Sequence, residues 1–231
     1  MKKVGFIGAF DKIDLILNLG KIISEMKNKV LIVDSTSLQK ARYIVPAISP
    51  TTSYITDFED MDVAVGFKDI GQIKLYLGID GNGELPYDVV LVDADSAERI
   101  EEFGLKKADK NYFVTAFDLY SLKKGLEIVR EVKEPMKLTK ILFAKEVLKE
   151  DNDYLNFLSL GFKIEWEEDR IYFPMENGDL SIIAENQRVA KIKFRRLSAQ
   201  YKDSLVYIIL QILDTNESNV RRVVKNIEKG V

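Results

Sequence analysis

Residues able to do chemistry are few in kind, because the 231-residue chain contains neither histidine nor cysteine. That removes disulfides, thiolate nucleophiles, zinc and iron–sulfur sites and every His-based triad, leaving Asp, Glu, Lys, Ser, Thr and Tyr as reactive groups. Within that set, the stretch GAFDKIDLILNLG at residues 8–20 stands out by position, since it follows a strand-like run and opens a helical one. It crowds a glycine (Gly8), a carboxylate (Asp11) and a lysine (Lys12) into one turn. Asp34 in KVLIVDS and Asp93 in YDVVLVDAD end apolar runs, where the carboxyl edge of a parallel sheet would place them. A turn glycine, a lysine and strand-end acids are parts of phosphate and metal sites. Read strictly, however, the phosphate-loop pattern GxxxxGK[ST] is absent.

The elements that must position these residues are legible in the apolar pattern. KKVGFIGAF and KVLIVDS are continuous apolar runs of the kind buried on both faces of a parallel sheet, and Leu15, Leu19, Ile22, Ile23 and Met26 between them recur at helical spacing. The three together form a βαβ unit. YITDFEDMDVAVGF predicts two short strands, KDIGQIKLYLG a short helix closing at Gly78, and GIDGNGELP a mobile, turn-rich connection. Then follow strand YDVVLVDAD, helix SAERIEEFGLKKAD, strand KNYFVTAF, helix DLYSLKKGLEIVREVK with Asp118 as N-cap, strand LTKILFA, and helix EVLKEDNDYLNFLSLG. FKIEWEEDRIYFP predicts a pair of strand-like runs separated by acids. The remainder is mainly helical, with Phe194 and Tyr201 in the core and a last helix capped by Ser218 or Asn219. Strands alternating with helices predict an α/β fold with a doubly wound, mostly parallel sheet flanked by helices. One domain over 1–231 with a helical C-terminal segment from about residue 187 is the expected organisation.

The net charge of −3 favours neither a nucleic-acid binder nor a disordered acidic chain. Charge is uneven, though: residues 187–231 carry Arg195, Arg196, Arg221, Arg222 and Lys225 among few acids. These read either as ordinary solvated helix faces or as a patch for sequence-independent DNA contact. The apolar segment DSLVYIILQIL reads as a buried helix or part of a dimer face. No run has the length of a signal core or a membrane span, which predicts a soluble, cytoplasmic protein. No Gly-x-Ser-x-Gly elbow, HExxH run or dinucleotide fingerprint points to another enzyme class.

Several segments, in order, resemble the ParA/MinD family of deviant-Walker P-loop ATPases. Laying Asn18 to Gly20 on the "NLA" of the family's KGGVGKTTTAVNLA brings Gly8 onto a loop glycine and Lys12 onto the Walker A lysine without a gap. KVLIVDS resembles the family's VLLIDAD, with Asp34 on its first aspartate, and YDVVLVDAD resembles the Walker B strand, with Asp93 on the acid that supports the metal. ADKNYFVTAFDLYSLKKGLEIVREV and IYFPMENGDLSIIAENQRV also find counterparts. The stretch from residue 54 to 78 is most similar to the TadZ/CpaE-like and mobile-element-borne branches.

The departures from that pattern shape the functional expectation. The family's interface-crossing lysine falls at Ile7, two loop glycines at Ala9 and Asp11, the Mg²⁺-binding hydroxyl at Ile13, and the water-orienting aspartate near Thr36. Phe143 and Ala144 stand where an Asn often reads adenine. An anionic side chain in a phosphate loop repels the ligand, and Ile13 offers a hard cation no oxygen. The resemblance thus implies a degenerate Walker A, no catalytic residue, no metal and no cofactor, with Gly8, Asp11, Lys12, Asp34 and Asp93 as an inherited nucleotide site and ATP with Mg²⁺ disfavoured. Each also has a plain reading: Lys12 as a helix-start lysine, Asp34 and Asp93 as loop-capping acids, Gly8 as a tight-turn residue. Three functions stay open: a non-hydrolysing, homodimerising scaffold or localisation factor with a protein partner in a secretion, pilus, conjugation or plasmid-linked system; an atypical partition ATPase using Lys12 with Asp34 and Asp93; and a DNA-binding module using the basic tail.

Overall fold

Short β-branched and aromatic runs become the strands of one sheet, and the intervening periodic segments become helices on its two faces. The computed structural model describes residues 1–47, 52–81, 83–146 and 149–230, with backbone alone at 149–151. The strands are β1 (Lys2–Ile7), β2 (Val30–Asp34), β3 (Tyr54–Phe58), β4 (Met61–Val65), β5 (Val89–Ala94), β6 (Lys110–Ala116), β7 (Met136–Ala144) and β8 (Ile164–Pro174). The helices are α1 (Ile13–Glu25), α2 (Ala41–Ile44), α3 (Ile70–Tyr76), α4 (Ala97–Glu102), α5 (Leu119–Arg130), α6 (Lys149–Leu158), α7 (Asn177–Val189), α8 (Ala199–Ile212) and α9 (Glu217–Lys229).

The sheet order is β3-β4-β2-β5-β1-β6-β7-β8, parallel throughout except for the β3–β4 hairpin. Two consequences position the site. First, β1 lies between β5 and β6, so the loop after β1 emerges beside the ends of both neighbours. Second, β2 and β5 run side by side in a register that pairs Asp34 with Asp93, placing both strand-end acids at one edge. Ligand sites of open α/β sheets form at that carboxyl edge.

One core face gathers α1, α8 and α9 side chains, including Leu15, Leu19, Ile22, Ile208, Ile209 and Val220, against Phe6, Ile32 and Tyr112. The other gathers Ile73, Ile100, Leu122, Leu126 and Leu155 from α3 to α6 against Val33, Val90 and Leu142. Phe194 and Tyr201 are buried as expected, and α8 buries Leu205, Val206, Ile208 and Ile209 within this chain. Asp118 caps α5 by accepting from the Ser121 amide at 2.9 Å.

Several local expectations are corrected. FKIEWEEDRIYFP forms a single strand, β8, with a register irregularity opposite Leu138 and Lys140 of β7. A bulge on an edge strand takes up the extra residues without ending the pairing; Glu168 and Asp169 are exposed there, while Glu167 turns back to Lys110 and the Thr139 hydroxyl. SAERIEEFGLKKAD is not one helix: Gly104 at φ +62° ends α4 and starts a 3₁₀ turn, Leu105–Lys107. The cap of α9 is Asn216, accepting from the Asn219 amide at 2.9 Å, rather than Ser218 or Asn219. Asn82 in the turn-rich connection, and residues 147–148 at the predicted start of α6, lie outside the described residues.

Candidate functional site

The loop at residues 8–12 is shaped first by Gly8. Its φ is +145°, and a Cβ there would lie 2.3 Å from the Val114 carbonyl oxygen of β6, so only glycine fits. The Gly8 amide donates to the Ala94 carbonyl at 3.2 Å, tying the loop to the end of β5. The chain then turns to begin α1 at Ile13, with Lys12 in the N-cap position and no side-chain cap.

Lys12 therefore stands where a phosphate-loop lysine would stand, but its ammonium is turned inward. Nζ lies 2.6 Å from Asp93 Oδ1 and donates to the Gly8 carbonyl at 2.8 Å, and both side chains are almost fully buried. The contact is a buried ion pair. Burial is the largest influence on Asp93 and pushes its carboxyl up to about 7; the Lys12 ammonium draws it down, and the Asp34 charge raises it further.

Asp34 is occupied in organising the next loop. Oδ1 accepts from the Thr36 amide at 3.1 Å and its hydroxyl at 2.6 Å, while Oδ2 accepts from the Ala41 amide at 2.9 Å and so steadies the start of α2. Ser35 donates its hydroxyl and its amide to the Asp93 carbonyl. Asp95 accepts from the Ser37 amide at 2.8 Å and hydroxyl at 2.6 Å. Across the mouth, Lys40 pairs with Asp11 at 2.5 Å, both partly exposed. Ile13 is buried in the core.

These groups enclose a cavity of about 60 Å³. Small-molecule pockets begin at roughly 300 Å³. The lining holds four carboxyl groups (Asp11, Asp34, Asp93, Asp95) against two ammoniums (Lys12, Lys40), a balance of −2 with all four ionised and −1 with Asp93 protonated. Mg²⁺-ATP needs a lysine free to meet phosphate, inward-facing amides and a hydroxyl on the metal. Here the lysine is engaged by a carboxylate, the metal-ligand position is buried hydrocarbon and the field is negative, so the residues present do not fit that cofactor. Among the described residues no cluster of three or more Asp or Glu side chains could hold a metal ion.

The fold thus brings Gly8, Asp11, Lys12, Asp34 and Asp93 together around one cleft. It leaves the basic residues elsewhere, on the C-terminal segment. Arg195 and Lys225 are exposed, Arg196 pairs with Glu185 at 3.0 Å, and Arg222 donates to Asn219 at 2.7 Å. Arg221 pairs with Asp203 at 2.6 Å and Glu217 at 2.7 Å. Sequence reasoning missed Lys40, Asp95 and Leu38 as cleft residues. Asp95 was discoverable as the second acid ending β5; Lys40, 29 residues from Asp11, carries no local signal.

No protein-family model and no curated protein sequence matches the chain. Solved structures do match in fold. A ParA family ATPase from Chlorobium tepidum is 15% identical with a TM-score of 0.59, covering 90% of this chain and 98% of its own. MinD in the MinC:MinD cell division complex of Aquifex aeolicus is 14% identical with a TM-score of 0.56, covering 97% and 96%. A putative plasmid partition protein from Borrelia burgdorferi, bound to AMPPNP, is 12% identical with a TM-score of 0.54, covering 92% and 99%. The chain has the ParA/MinD P-loop NTPase fold. Among the described residues no helix is long and apolar enough to cross a membrane.

Proposed function

We propose that this chain is a positioning or partition-type protein of ParA/MinD fold that has given up nucleotide hydrolysis and acts by binding proteins, a second copy of itself included. Residues 1–231 work as one unit in this reading, as a scaffold or assembly factor. The observation that carries it is the buried Lys12–Asp93 ion pair: the lysine that would meet phosphate neutralises the acid that would support the metal. Phosphoryl transfer depends on positioned cations around the transferring group, and this pairing removes them. Protein is favoured over DNA as the partner because Arg196 and Arg221 are already paired with carboxylates of this chain.

The test is calorimetric titration with ATP and ADP, with and without Mg²⁺, alongside phosphate release and light scattering. The proposal expects no binding at millimolar nucleotide, no turnover, and a dimer whose population ignores nucleotide. Turnover abolished by Lys12→Ala would establish the atypical ATPase instead.

A further inference from the structure

The rim of the cleft differs in kind from its floor. Four large apolar side chains, Leu38, Tyr43, Leu119 and Tyr120, are between 64% and 83% exposed. Leu38 and Tyr43 follow β2, and Leu119 and Tyr120 follow β6, so all four belong to connections leaving the carboxyl edge of the sheet, the edge that carries the cleft. Helix α5, which begins at Leu119, packs on the loop itself: a Cβ at Gly125 would lie 3.7 Å from the Ala9 amide nitrogen. Leu38 lines the cleft directly. Exposed apolar and aromatic groups on the sheet edge that also carries a polar depression are the make-up of a protein-binding surface.

The floor says what kind of partner fits. Lys12 matches Asp93 and Lys40 matches Asp11, so the acids lining the cleft that no cation among the described residues meets are Asp34 and Asp95, and the balance is negative. A second copy meeting this face through a two-fold axis would set one acid-lined cleft against another, and like charges facing across an interface are disfavoured. A cation does the reverse. Asp95 is the accessible acid with no cation among the described residues on it, and Asp11, also accessible, is shared with the Lys40 ammonium at 2.5 Å, whereas Asp34 is buried beneath the loop it organises. Arginine suits them because its planar fork meets a carboxylate with two hydrogen bonds while its stem lies on apolar surface.

We infer that the carboxyl edge of the sheet, where Leu38 lines the Asp11–Asp95 cleft and Tyr43, Leu119 and Tyr120 stand on connections leaving the same edge, docks an arginine-bearing apolar segment of another protein where nucleotide would sit in a phosphate-binding cleft. This deepens the proposed function and rests on it, since a nucleotide seated in the cleft would exclude the segment.

The experiment titrates a short peptide of alternating leucine and arginine into ¹⁵N-labelled full chain and follows amide shifts, with a citrulline-for-arginine peptide as the uncharged control. The inference expects saturable shifts confined to residues 8–12, 35–43, 93–96 and 117–121. It expects binding at least about tenfold weaker in Asp11→Asn/Asp95→Asn and with the citrulline peptide. Equal binding of both peptides, shifts centred on the acidic strand β8, or no binding would overturn it. ATP titrated into the same sample separates the failures. Shifts of the loop amides by ATP would bring down the proposed function as well, whereas silence to both ligands would remove only this inference.

Discussion

Lys12 Nζ sits 2.6 Å from the Asp93 carboxylate, and neither side chain reaches solvent to any useful extent. The pair joins the first turn of the chain to the middle strand of the sheet, so it has a structural task whatever else the cleft does. Breaking a buried pair leaves one charge stranded, and removal of one partner typically costs about 3–5 kcal/mol. Lys12→Met is therefore expected to destabilise the fold by about that amount in chemical denaturation. Adding Asp93→Leu should return a measurable part of the loss, a coupling of about 1–3 kcal/mol in the double-mutant cycle. Additive losses would show that the two side chains do not depend on each other.

The same pair gives stability a pH dependence of definite sign. Burial raises the folded carboxyl of Asp93 to about 7, against 3.8 for an unperturbed Asp, so the native state holds this proton more tightly than the unfolded chain. Its contribution is fully present below about pH 4 and is lost as pH rises through about 7. Asp14, in the first turn of α1 with Gln187 of α7 donating to it at 2.8 Å, acts in the same direction, burial raising it to about 6. Relative to wild type, Asp93→Asn should thus look least favourable in acid and improve toward neutrality. Denaturation midpoints across pH 4–8 check this, and a parallel pair of curves would contradict it.

Gly8→Ala should destabilise the protein by at least about 2 kcal/mol with no ligand present, because the new methyl both strains a positive φ and meets the Val114 carbonyl oxygen. Thermal melts of the variant measure it. A melt unchanged from wild type would mean that the loop can take another path.

In the β3–β4 hairpin, Glu59 and Asp60 adopt φ of +55° and +63°, the left-handed turn that glycine and asparagine fill at least strain. The turn is held by the Ser24 hydroxyl on the Asp60 carbonyl at 2.8 Å and by Lys21, which lies 3.2 Å from the Glu59 carboxylate. Asp60→Gly keeps both and gives up only an exposed contact at 3.8 Å to Lys21, which is worth little. A gain of up to about 1 kcal/mol is expected in denaturant titration. A loss would show that the Asp60 carboxylate has a role in the turn beyond that contact.

The legible parts of the molecule were those with a repeating cause. Continuous apolar runs announced β1, β2, β5, β6 and β7, and helical spacing of Leu15, Leu19, Ile22 and Ile23 announced α1. Strand-end acids announced Asp34 and Asp93, and the register confirms them as neighbours. What stayed hidden depends on contacts between distant residues. The sequence alone left Lys12 open between a phosphate-loop lysine by resemblance and a helix-start lysine; the neighbouring β1 and β5 strands show its ammonium turned onto the Asp93 carboxylate. Asp11 lines the cleft, and Lys40, which no local signal connects to it, pairs with it at the mouth. The basic tail looked unopposed because Asp203 and Glu217 are read as isolated acids until helix geometry brings them to Arg221.

A crystal structure grown with excess ATP and Mg²⁺ tests the central claim most directly. The account predicts Lys12 Nζ still within hydrogen-bonding distance of Asp93 and no triphosphate in the cleft. Lys12 swung out onto a bound triphosphate, with a magnesium ion held beside Asp34 and Asp93, would contradict it.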